Sequence, residues 1–354
     1  MIDLDRRAQY DDVDRAGMLE RIVAMPQQIR DAWSLVQGSS LPSSHAGAAN
    51  IVICGMGGSA IGGDLTRSLV ESEARVPITV ARGYDLPAFV GSNTLVIISS
   101  FSGATEETLS CCEQALDAHA RVVAVTTGGP LAGRAQQADF PLIQFRFQPG
   151  QPREAIGYSA LLMLGVLTNL GYVGDRTTEV EAAADLLEEM IPELGPDAPA
   201  DENPAKRLAQ RLFGRIGVIY GGGIMSEVAR RWKGQLNENA KNWAFFEQMP
   251  EANHNAVLGY QFPINLSERL MVIMLSSSLN HERIGIRESI TAELLGRWGV
   301  RNERVEARGT RPLEHVISAT YFGDFVSYYL ALINDIDPSD IEVINHLKQR
   351  LTQA

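Results

Sequence analysis

NIVICGMGGSAIGGD (50–64) contains the pattern of a complete strand, a loop and the start of a helix, and this pattern indicates the fold class of the chain. NIVIC (50–54) is a short β-rich apolar run, and the glycine-rich loop GMGGS (55–59) follows it directly. Two similar apolar runs, TLVIIS (94–99) and RVVAV (121–125), come next, with helix-length amphipathic stretches between them. Buried strands that alternate with helices predict a parallel sheet covered by helices on both faces.

The same pattern recurs in the second half of the chain. IGVIYGGGIMSEVARR (216–231) repeats the order of strand, glycine cluster, hydroxyl residue and helix, at an offset of 221 − 55 = 166 residues. LMVIMLSSS (270–278) resembles TLVIISSFS (94–102), at an offset of 277 − 100 = 177. Two strand–loop–helix pairs at similar offsets predict an internal duplication. The segment GPDAPADENP (195–204), rich in Pro, Asp and Ala, is typical of a linker between the copies.

The length of the chain agrees with this division, because 354 residues exceed one ordinary hydrophobic core. We therefore predict an N-terminal α/β domain over residues 1–174, a helix and linker over 175–204, and a C-terminal α/β domain over 205–354.

Composition excludes several classes of partner. The chain has 43 acidic and 31 basic residues, a formal charge of −12, whereas nucleic acids and anionic membranes need a cationic surface. Three cysteines (Cys54, Cys111 and Cys112) suggest no disulfide framework and indicate a reducing compartment. The polar start MIDLDRRAQYDD predicts no signal peptide, and apolar runs such as LMVIML (270–275) are too short to cross a bilayer. We expect a cytoplasmic protein with no nucleic-acid or membrane partner.

Two loops have the composition of a phosphate site. In SSFSGATEET (99–108), the hydroxyls of Ser100, Ser102 and Thr105 cluster where a strand ends and a helix begins. Hydroxyls and free amides at a helix start can together hold a phosphate monoester. The alternative is N-capping, for which Ser and Thr are favoured, although a cap needs only one hydroxyl.

The glycine loop offers a second set of groups, Gly57, Gly58 and Ser59, because glycines let the backbone approach an anion closely. A tight β–α turn or a dinucleotide loop remains an alternative, although the spacing matches neither the Rossmann nor the P-loop fingerprint. The two loops follow neighbouring strands, so we expect them to meet at one crevice of the sheet.

These loops resemble the sugar isomerase (SIS) domain, a phosphosugar-binding module, and two tandem copies resemble the phosphoglucose isomerase superfamily. Four further motifs extend the resemblance to the bifunctional phosphoglucose/phosphomannose isomerases, over nearly the whole chain: QPREAIGY (151–158), NENAK (237–241), PEANHN (250–255) and IDPSDIEVINHLK (336–348). The resemblance implies two flavodoxin-like αβα domains. It also implies metal-independent and cofactor-independent interconversion of glucose 6-phosphate or mannose 6-phosphate with fructose 6-phosphate through a cis-enediolate.

Isomerisation of this kind requires a base that moves a proton between C1 and C2, a proton donor that opens the sugar ring, and a stabiliser of the enediolate. The resemblance assigns Glu238 as the base and His254 as the ring-opening residue, the latter reaching the site of a partner subunit in a homodimer. The residues alone leave Glu238 as a solvated helix glutamate, with Glu247 and Glu251 as rivals by their proximity to His254. His254 itself could be a loop histidine bonded to backbone.

Two positively charged side chains complete the predicted set of active-site residues. The resemblance makes Arg153 an enediolate or water ligand and Lys348 a contact to the sugar ring. An exposed loop arginine and a lysine in a last helical turn are the ordinary alternatives.

Other SIS proteins act on amino-sugar phosphates or sense phosphosugars without catalysis. An amidotransferase would need an N-terminal glutaminase domain and a regulator would need a basic DNA-binding appendage; we expect neither. A zinc-dependent mannose-phosphate isomerase would be a β-rich cupin with clustered ligands, whereas the six histidines here are scattered.

Overall fold

The computed structural model describes residues 2–147, 149–263, 265–351 and 353. They form two compact units. The N-terminal unit contains the described residues of 24–189 and 307–318, and the C-terminal unit contains those of 1–23, 190–306 and 319–354.

The elements follow one another as the strand and helix patterns predict. The strands are β1 (Asn50–Cys54), β2 (Ile78–Ala81), β3 (Thr94–Ser100), β4 (Arg121–Thr126), β5 (Leu142–Gln144), β6 (Ile216–Gly222), β7 (Ala244–Met249), β8 (Leu270–Ser276) and β9 (Arg301–Glu306). The helices are α1 (Tyr10–Val13), α2 (Met18–Val23), α3 (Met25–Gln37), α4 (Gly57–Val70), α5 (Glu106–Asp117), α6 (Gly129–Ala138), α7 (Ile156–Asn169), α8 (Thr177–Leu194), α9 (Pro204–Leu212), α10 (Ser226–Glu238), α11 (Glu282–Arg297), α12 (Pro312–Ile333) and α13 (Glu342–Leu351).

The N-terminal unit is built on a five-stranded sheet of order β2-β1-β3-β4-β5, in which all pairs are parallel. Successive side chains of a strand point to opposite faces. On β1, Val52 and Cys54 pack with Cys112 of α5, whereas Ile53 lies against Gly63 of α4 on the other face. Helices therefore cover both faces, and the strand order is the flavodoxin-like one. The predicted fold class is confirmed.

The C-terminal unit repeats this topology. Its sheet has the order β7-β6-β8-β9, again with parallel pairs only. Cys54 pairs with Ile98 in one sheet, and Tyr220 pairs with Met274 in the other. The two strand offsets are therefore 220 − 54 = 166 and 274 − 98 = 176. The offset of 177 that was expected from the serines is therefore one residue too high, because a run of serines can be aligned in more than one register.

Two segments pack differently from the domain boundaries read off the sequence. Residues 2–23 belong to the C-terminal unit, where the buried ring of Tyr10 lies 6.2 Å from Tyr328 and 6.3 Å from Tyr329. Residues 307–318 belong to the N-terminal unit, where the Leu313 amide donates to Glu179 Oε1 at 3.0 Å. A helical pattern marks which face of a segment is buried but not against which sheet it packs.

The predicted linker is a fixed loop of the C-terminal unit. The fully buried Lys206 ammonium donates to the carbonyl oxygens of Leu4 at 2.7 Å, Pro196 at 2.8 Å and Ala198 at 2.8 Å. Asn203 caps α9 by accepting from the Ala205 amide at 2.9 Å. The loop is held at both ends.

One helix in the described part of the chain, α12, is long and apolar enough to cross a membrane by length and composition. Its most apolar window is completely buried inside the protein, and its Asp324 carboxylate accepts hydrogen bonds from Arg231 and Gln235. Burial of this kind is typical of a core helix. The sequence pattern does not single out this helix, since small polar residues interrupt the apolar run.

Candidate active site

The glycine loop lies at the carboxyl edge of the N-terminal sheet, where β1 passes into α4. Gly57 has a φ of +50°, which favours glycine. A Cβ placed on Gly58 would lie 2.7 Å from the carbonyl oxygen of Pro152 and 3.0 Å from the amide nitrogen of Arg153, so only glycine permits this approach. The buried hydroxyl of Ser59 accepts a hydrogen bond from the Phe101 amide at 3.2 Å. This bond joins the glycine loop to the serine loop, as expected from neighbouring strands.

The serine loop brings the three predicted hydroxyl residues close together. The buried Ser100 hydroxyl donates to the Thr105 hydroxyl at 3.1 Å, and the exposed Ser102 hydroxyl accepts from the Ala104 amide at 3.2 Å. Thr105 is the N-cap residue of α5, but in the described structure its hydroxyl makes no capping bond. Capping therefore does not account for the cluster.

Gly103 holds this loop against the end of β4. It has a φ of +65°, and a Cβ there would overlap the carbonyl oxygen of Gly128. The carbonyl oxygen of Phe101 accepts from the Thr127 amide at 3.1 Å and from its hydroxyl at 2.7 Å. The serine loop is thus anchored on both sides, by the glycine loop and by the loop after β4.

Arg153 is buried next to the glycine loop, with 3% of its surface exposed. It lies in a 3-10 turn, Pro152–Glu154, which is closed by a capping box between Gln151 and Glu154. The turn packs its backbone directly on Gly58. Arg153 is therefore not an exposed loop arginine, which was the ordinary alternative for this residue.

An aromatic cluster that the sequence analysis missed lies behind the serine loop. The Phe101 ring contacts Phe145 at 6.1 Å and Phe147 at 5.9 Å edge-on, and Tyr158 stacks on Phe145 at 5.0 Å. Burial, together with the Asp31 carboxylate to which its hydroxyl donates, raises the pKa of Tyr158 to about 12. The four rings come from three separate segments, and no periodic pattern connects them.

In the C-terminal unit, Glu238 is the last residue of α10 and is half-buried. It lines a cavity of about 480 Å³ together with Lys241, Trp243 and residues 340–344. The Lys241 ammonium donates to the carbonyl oxygens of Asp337 at 2.8 Å and Pro338 at 3.3 Å. The NENAK and IDP motifs therefore meet at this cavity.

Lys348 lies beyond the cavity on α13. Every described residue of that helix is exposed or half-exposed, and none is buried. The structure places Lys348 on the surface of the C-terminal unit.

His254 lies at the other end of β7 from Glu238. It is exposed and ends the 3-10 helix Glu251–His254, which follows the strand, whereas Glu238 precedes the strand. A six-residue strand such as β7 spans roughly 17 Å at about 3.3 Å per residue. Within one chain, the two residues are therefore not side by side.

The two rival glutamates have different surroundings. Glu247 lies on β7, where burial raises the pKa of its carboxyl group. Glu251 is exposed and accepts a hydrogen bond from Asn255 Nδ2 at 2.8 Å. Neither of the two lines the cavity that contains Glu238.

In the C-terminal unit, the side chain of Asn280 bonds to the glycine loop that follows β6. Asn280 accepts from the Ile224 amide at 3.3 Å and donates to the Gly222 carbonyl oxygen at 2.9 Å. A Cβ on Gly223, whose φ is +53°, would lie 2.3 Å from Asn280 Oδ1. The glycine loops of the two units thus share a positive φ at equivalent positions, Gly57 and Gly223. In the C-terminal unit, however, the Asn280 side chain bonds to the backbone of the loop.

Across the ranges that the structure describes, no three His, Cys, Asp or Glu side chains form a group that could hold a metal ion. The three cysteines are buried as free thiols in the N-terminal core, and burial raises the pKa of Cys112 to about 11.

The model of the bacterial phospho-glucose isomerase C-terminal SIS domain matches residues 201–351. The bifunctional phosphoglucose/phosphomannose isomerase of Caldicellulosiruptor bescii is 36% identical over 339 residues, which cover 95% of this chain and 99% of that protein. The enzyme of the same name from Thermoplasma acidophilum is 36% identical over 308 residues, 86% of this chain and 90% of its own length.

A crystal structure of a hypothetical protein from Thermus thermophilus has the same fold, with a TM-score of 0.75 at 17% identity and coverage of 99% of this chain and 93% of that one. The extent of the sequence matches, together with the duplicated sheet and its hydroxyl-lined loops, decides the assignment. This chain belongs to the bifunctional phosphoglucose/phosphomannose isomerase family.

Proposed function

We propose that this protein interconverts glucose 6-phosphate and mannose 6-phosphate with fructose 6-phosphate, through a cis-enediolate and without a metal. The observation that carries the proposal is the joined pair of loops in the N-terminal unit. Ser59 bonds to the serine loop at 3.2 Å, and Gly58 packs on the turn that holds the buried Arg153. A phosphate monoester and a guanidinium would thereby be held in one fixed arrangement.

The phosphate would be bound by the hydroxyls of Ser100, Ser102 and Thr105 and by amides at the starts of α4 and α5. Free amides at a helix N-terminus favour an anion. A local site of this kind is needed because the chain as a whole carries a charge of −12 and does not attract an anionic substrate.

Glu238 would act as the base that moves the proton between C1 and C2, and Arg153 would stabilise the enediolate oxygen. Glucose and mannose 6-phosphates differ only at C2, so both give the same enediolate. The half-buried position of Glu238 beside a cavity supports this role over that of a fully solvated glutamate. Lys348, on α13, would contact the sugar.

His254 would open the sugar ring in the active site of a second copy of the chain. The support is geometric: β7 separates His254 from Glu238 within one chain, and His254 is exposed. A homodimer in which each copy lends its histidine to the other would bring the two groups together. The three buried free thiols are compatible with a cytoplasmic protein.

The main test uses EDTA-treated protein supplied with fructose 6-phosphate. We expect both glucose 6-phosphate and mannose 6-phosphate as products. Glu238→Gln should abolish exchange of the C2 proton of glucose 6-phosphate with solvent while substrate binding is kept, whereas Glu247→Gln should retain turnover. Wild-type turnover by Glu238→Gln would remove Glu238 from its role. Binding without any turnover in the unaltered protein would favour a phosphosugar sensor.

Complementation tests the dimer. Glu238→Gln and His254→Ala proteins, each inactive alone, are mixed after mild dissociation. A hybrid dimer contains one site with both groups intact, so we expect turnover to return to roughly a quarter of the wild-type level. No recovery from a verified hybrid would contradict the exchange of His254.

A further inference from the structure

A ladder of buried polar side chains joins α10 to α12 in the C-terminal unit. Arg231 donates to the two carboxylate oxygens of Asp324 at 3.0 and 3.3 Å, and Gln235 Nε2 donates to the same carboxylate at 2.6 Å. One turn further on, Asn239 Nδ2 donates to the Ser327 hydroxyl at 3.0 Å. All five residues are at most 4% exposed.

The members on α10 and at its C-cap follow helical spacing. Arg231, Gln235 and Asn239 are four residues apart, so they form one stripe along the buried face of α10. The stripe runs to the end of the helix, where Asn239 immediately follows Glu238. Each rung is a directional bond to α12, which an apolar stripe would not provide.

Stability alone does not explain an ion pair in this position. Burial raises the pKa of Asp324, against the opposite influence of the Arg231 and Gln235 side chains. Well-packed apolar side chains of similar volume are often as stabilising as a buried ion pair, or more so. What a polar ladder adds is a single register between the two helices, a use that is documented for buried polar groups.

The contact between the helices is also unusually close. A Cβ placed on Gly323 would lie 2.3 Å from the Trp232 ring nitrogen, which donates to the Ala319 carbonyl oxygen at 2.9 Å. The ladder and this contact together fix a single register between α10 and α12. A shift of one residue would translate the end of α10 by about 1.5 Å and rotate it by about 100°.

We propose that the Arg231–Asp324–Gln235 group and the Asn239–Ser327 bond are positioning elements that set the location and direction of Glu238. They act through the last turn of α10 and do not touch the substrate. The inference rests on the proposed role of Glu238 as the base.

The test replaces the ion pair by apolar side chains in the double variant Arg231→Met/Asp324→Leu, in the full-length protein. We expect a protein that still folds, with a melting temperature close to that of the wild type, because the gain from apolar packing offsets the loss of the acceptor of Gln235 Nε2. We expect kcat to fall about 10- to 100-fold, since misplacement of a reacting group by about 1 Å can reduce rates about 100-fold. KM for fructose 6-phosphate and the inhibition constant of inorganic phosphate should stay within about twofold. The deuterium isotope effect at C2 of glucose 6-phosphate should increase, because proton transfer becomes rate-limiting.

Ser327→Ala is the milder companion variant, since it removes only the last rung. We expect a kcat reduced severalfold with KM unchanged. If the double variant does not fold, the Ser327→Ala result decides: wild-type kcat and isotope effect there would overturn the proposal.

Glu238→Gln is measured in parallel, so that two failures can be told apart. Wild-type turnover by Glu238→Gln overturns the role of Glu238, and the ladder proposal with it. Loss of turnover in Glu238→Gln but wild-type kcat in a folded double variant overturns the ladder proposal alone. A double variant in which kcat falls only as the melting temperature falls would also overturn it, because the ladder would then be stabilising and nothing more.

Discussion

Gly58→Ala should uncouple Arg153 from the serine loop without removing any polar group. The added Cβ would stand 2.7 Å from the Pro152 carbonyl oxygen, whereas ordinary van der Waals contacts begin at 3.4 Å, so the turn must move by about 3.4 − 2.7 = 0.7 Å to restore an ordinary contact. The obstacle is backbone, which cannot rotate away as a flexible side chain would. A displacement of this size at a reacting group reduces kcat/KM by roughly 10- to 100-fold, in proportion to the effect of a 1 Å misplacement.

The free energy of unfolding should fall by no more than about 2 kcal/mol in this variant. Alanine is favoured over glycine inside a helix by about 1 kcal/mol, which offsets part of the roughly 1–3 kcal/mol that overpacking costs. The assay is conversion of fructose 6-phosphate to glucose 6-phosphate, alongside thermal unfolding followed by circular dichroism. Gly133→Ala in α6 is the matched control, because a Cβ there meets nothing within 4 Å. Wild-type kcat/KM in Gly58→Ala, or a loss of activity shared by Gly133→Ala, would refute the reasoning.

Three further predictions concern single side chains. Lys206→Met leaves the buried carbonyl oxygen of Leu4 and the half-buried ones of Pro196 and Ala198 without their charged donor. The free energy of unfolding measured in urea should therefore fall by about 3 kcal/mol, and an unchanged value would refute the role of the ammonium. Ser59→Ala breaks the 3.2 Å bond to the Phe101 amide. The KM for fructose 6-phosphate should therefore rise about 10-fold, with a smaller change in kcat. A fall in kcat alone, measured by steady-state kinetics, would contradict this prediction. Burial lowers the pKa of His45, so the unfolded chain binds its proton more readily and stability should fall as the pH drops through about 6.5. In unfolding curves at a series of pH values, His45→Gln should flatten that dependence, and equal slopes in the variant and the wild type would exclude His45.

Much of the fold could be predicted from local patterns. The alternation of apolar runs with amphipathic helices identified the parallel sheets, and the glycine loops identified the point where each first strand passes into its helix. Since parallel strands share a carboxyl edge, the loops after β1 and β3 were expected to meet, and the 3.2 Å bond between Ser59 and Phe101 joins them. The assignment of Glu238 and His254 depended on motif resemblance, because an isolated Glu or His carries no signal of its own.

Other features depend on packing partners that are distant in sequence. The aromatic cluster around Phe101 draws its rings from three segments, and Lys206 binds carbonyl oxygens up to 202 residues away. The Arg231–Asp324 ion pair joins two helices through residues that are 93 positions apart in the sequence. Periodicity can predict that each of these side chains is buried, but it does not identify the residue that the side chain contacts.

The class of fold, the duplication and the edge of the sheet that carries the polar side chains follow from local sequence, because they depend on periodicity and on glycine and hydroxyl placement along a single segment. The tertiary structure alone decided which unit residues 2–23 and 307–318 join, how closely Gly58 lies to the Arg153 turn, and that Glu238 and His254 stand at opposite ends of β7. The physical reason is that secondary structure depends on neighbours along the chain, whereas a site depends on distances between side chains, which only close packing of remote segments establishes.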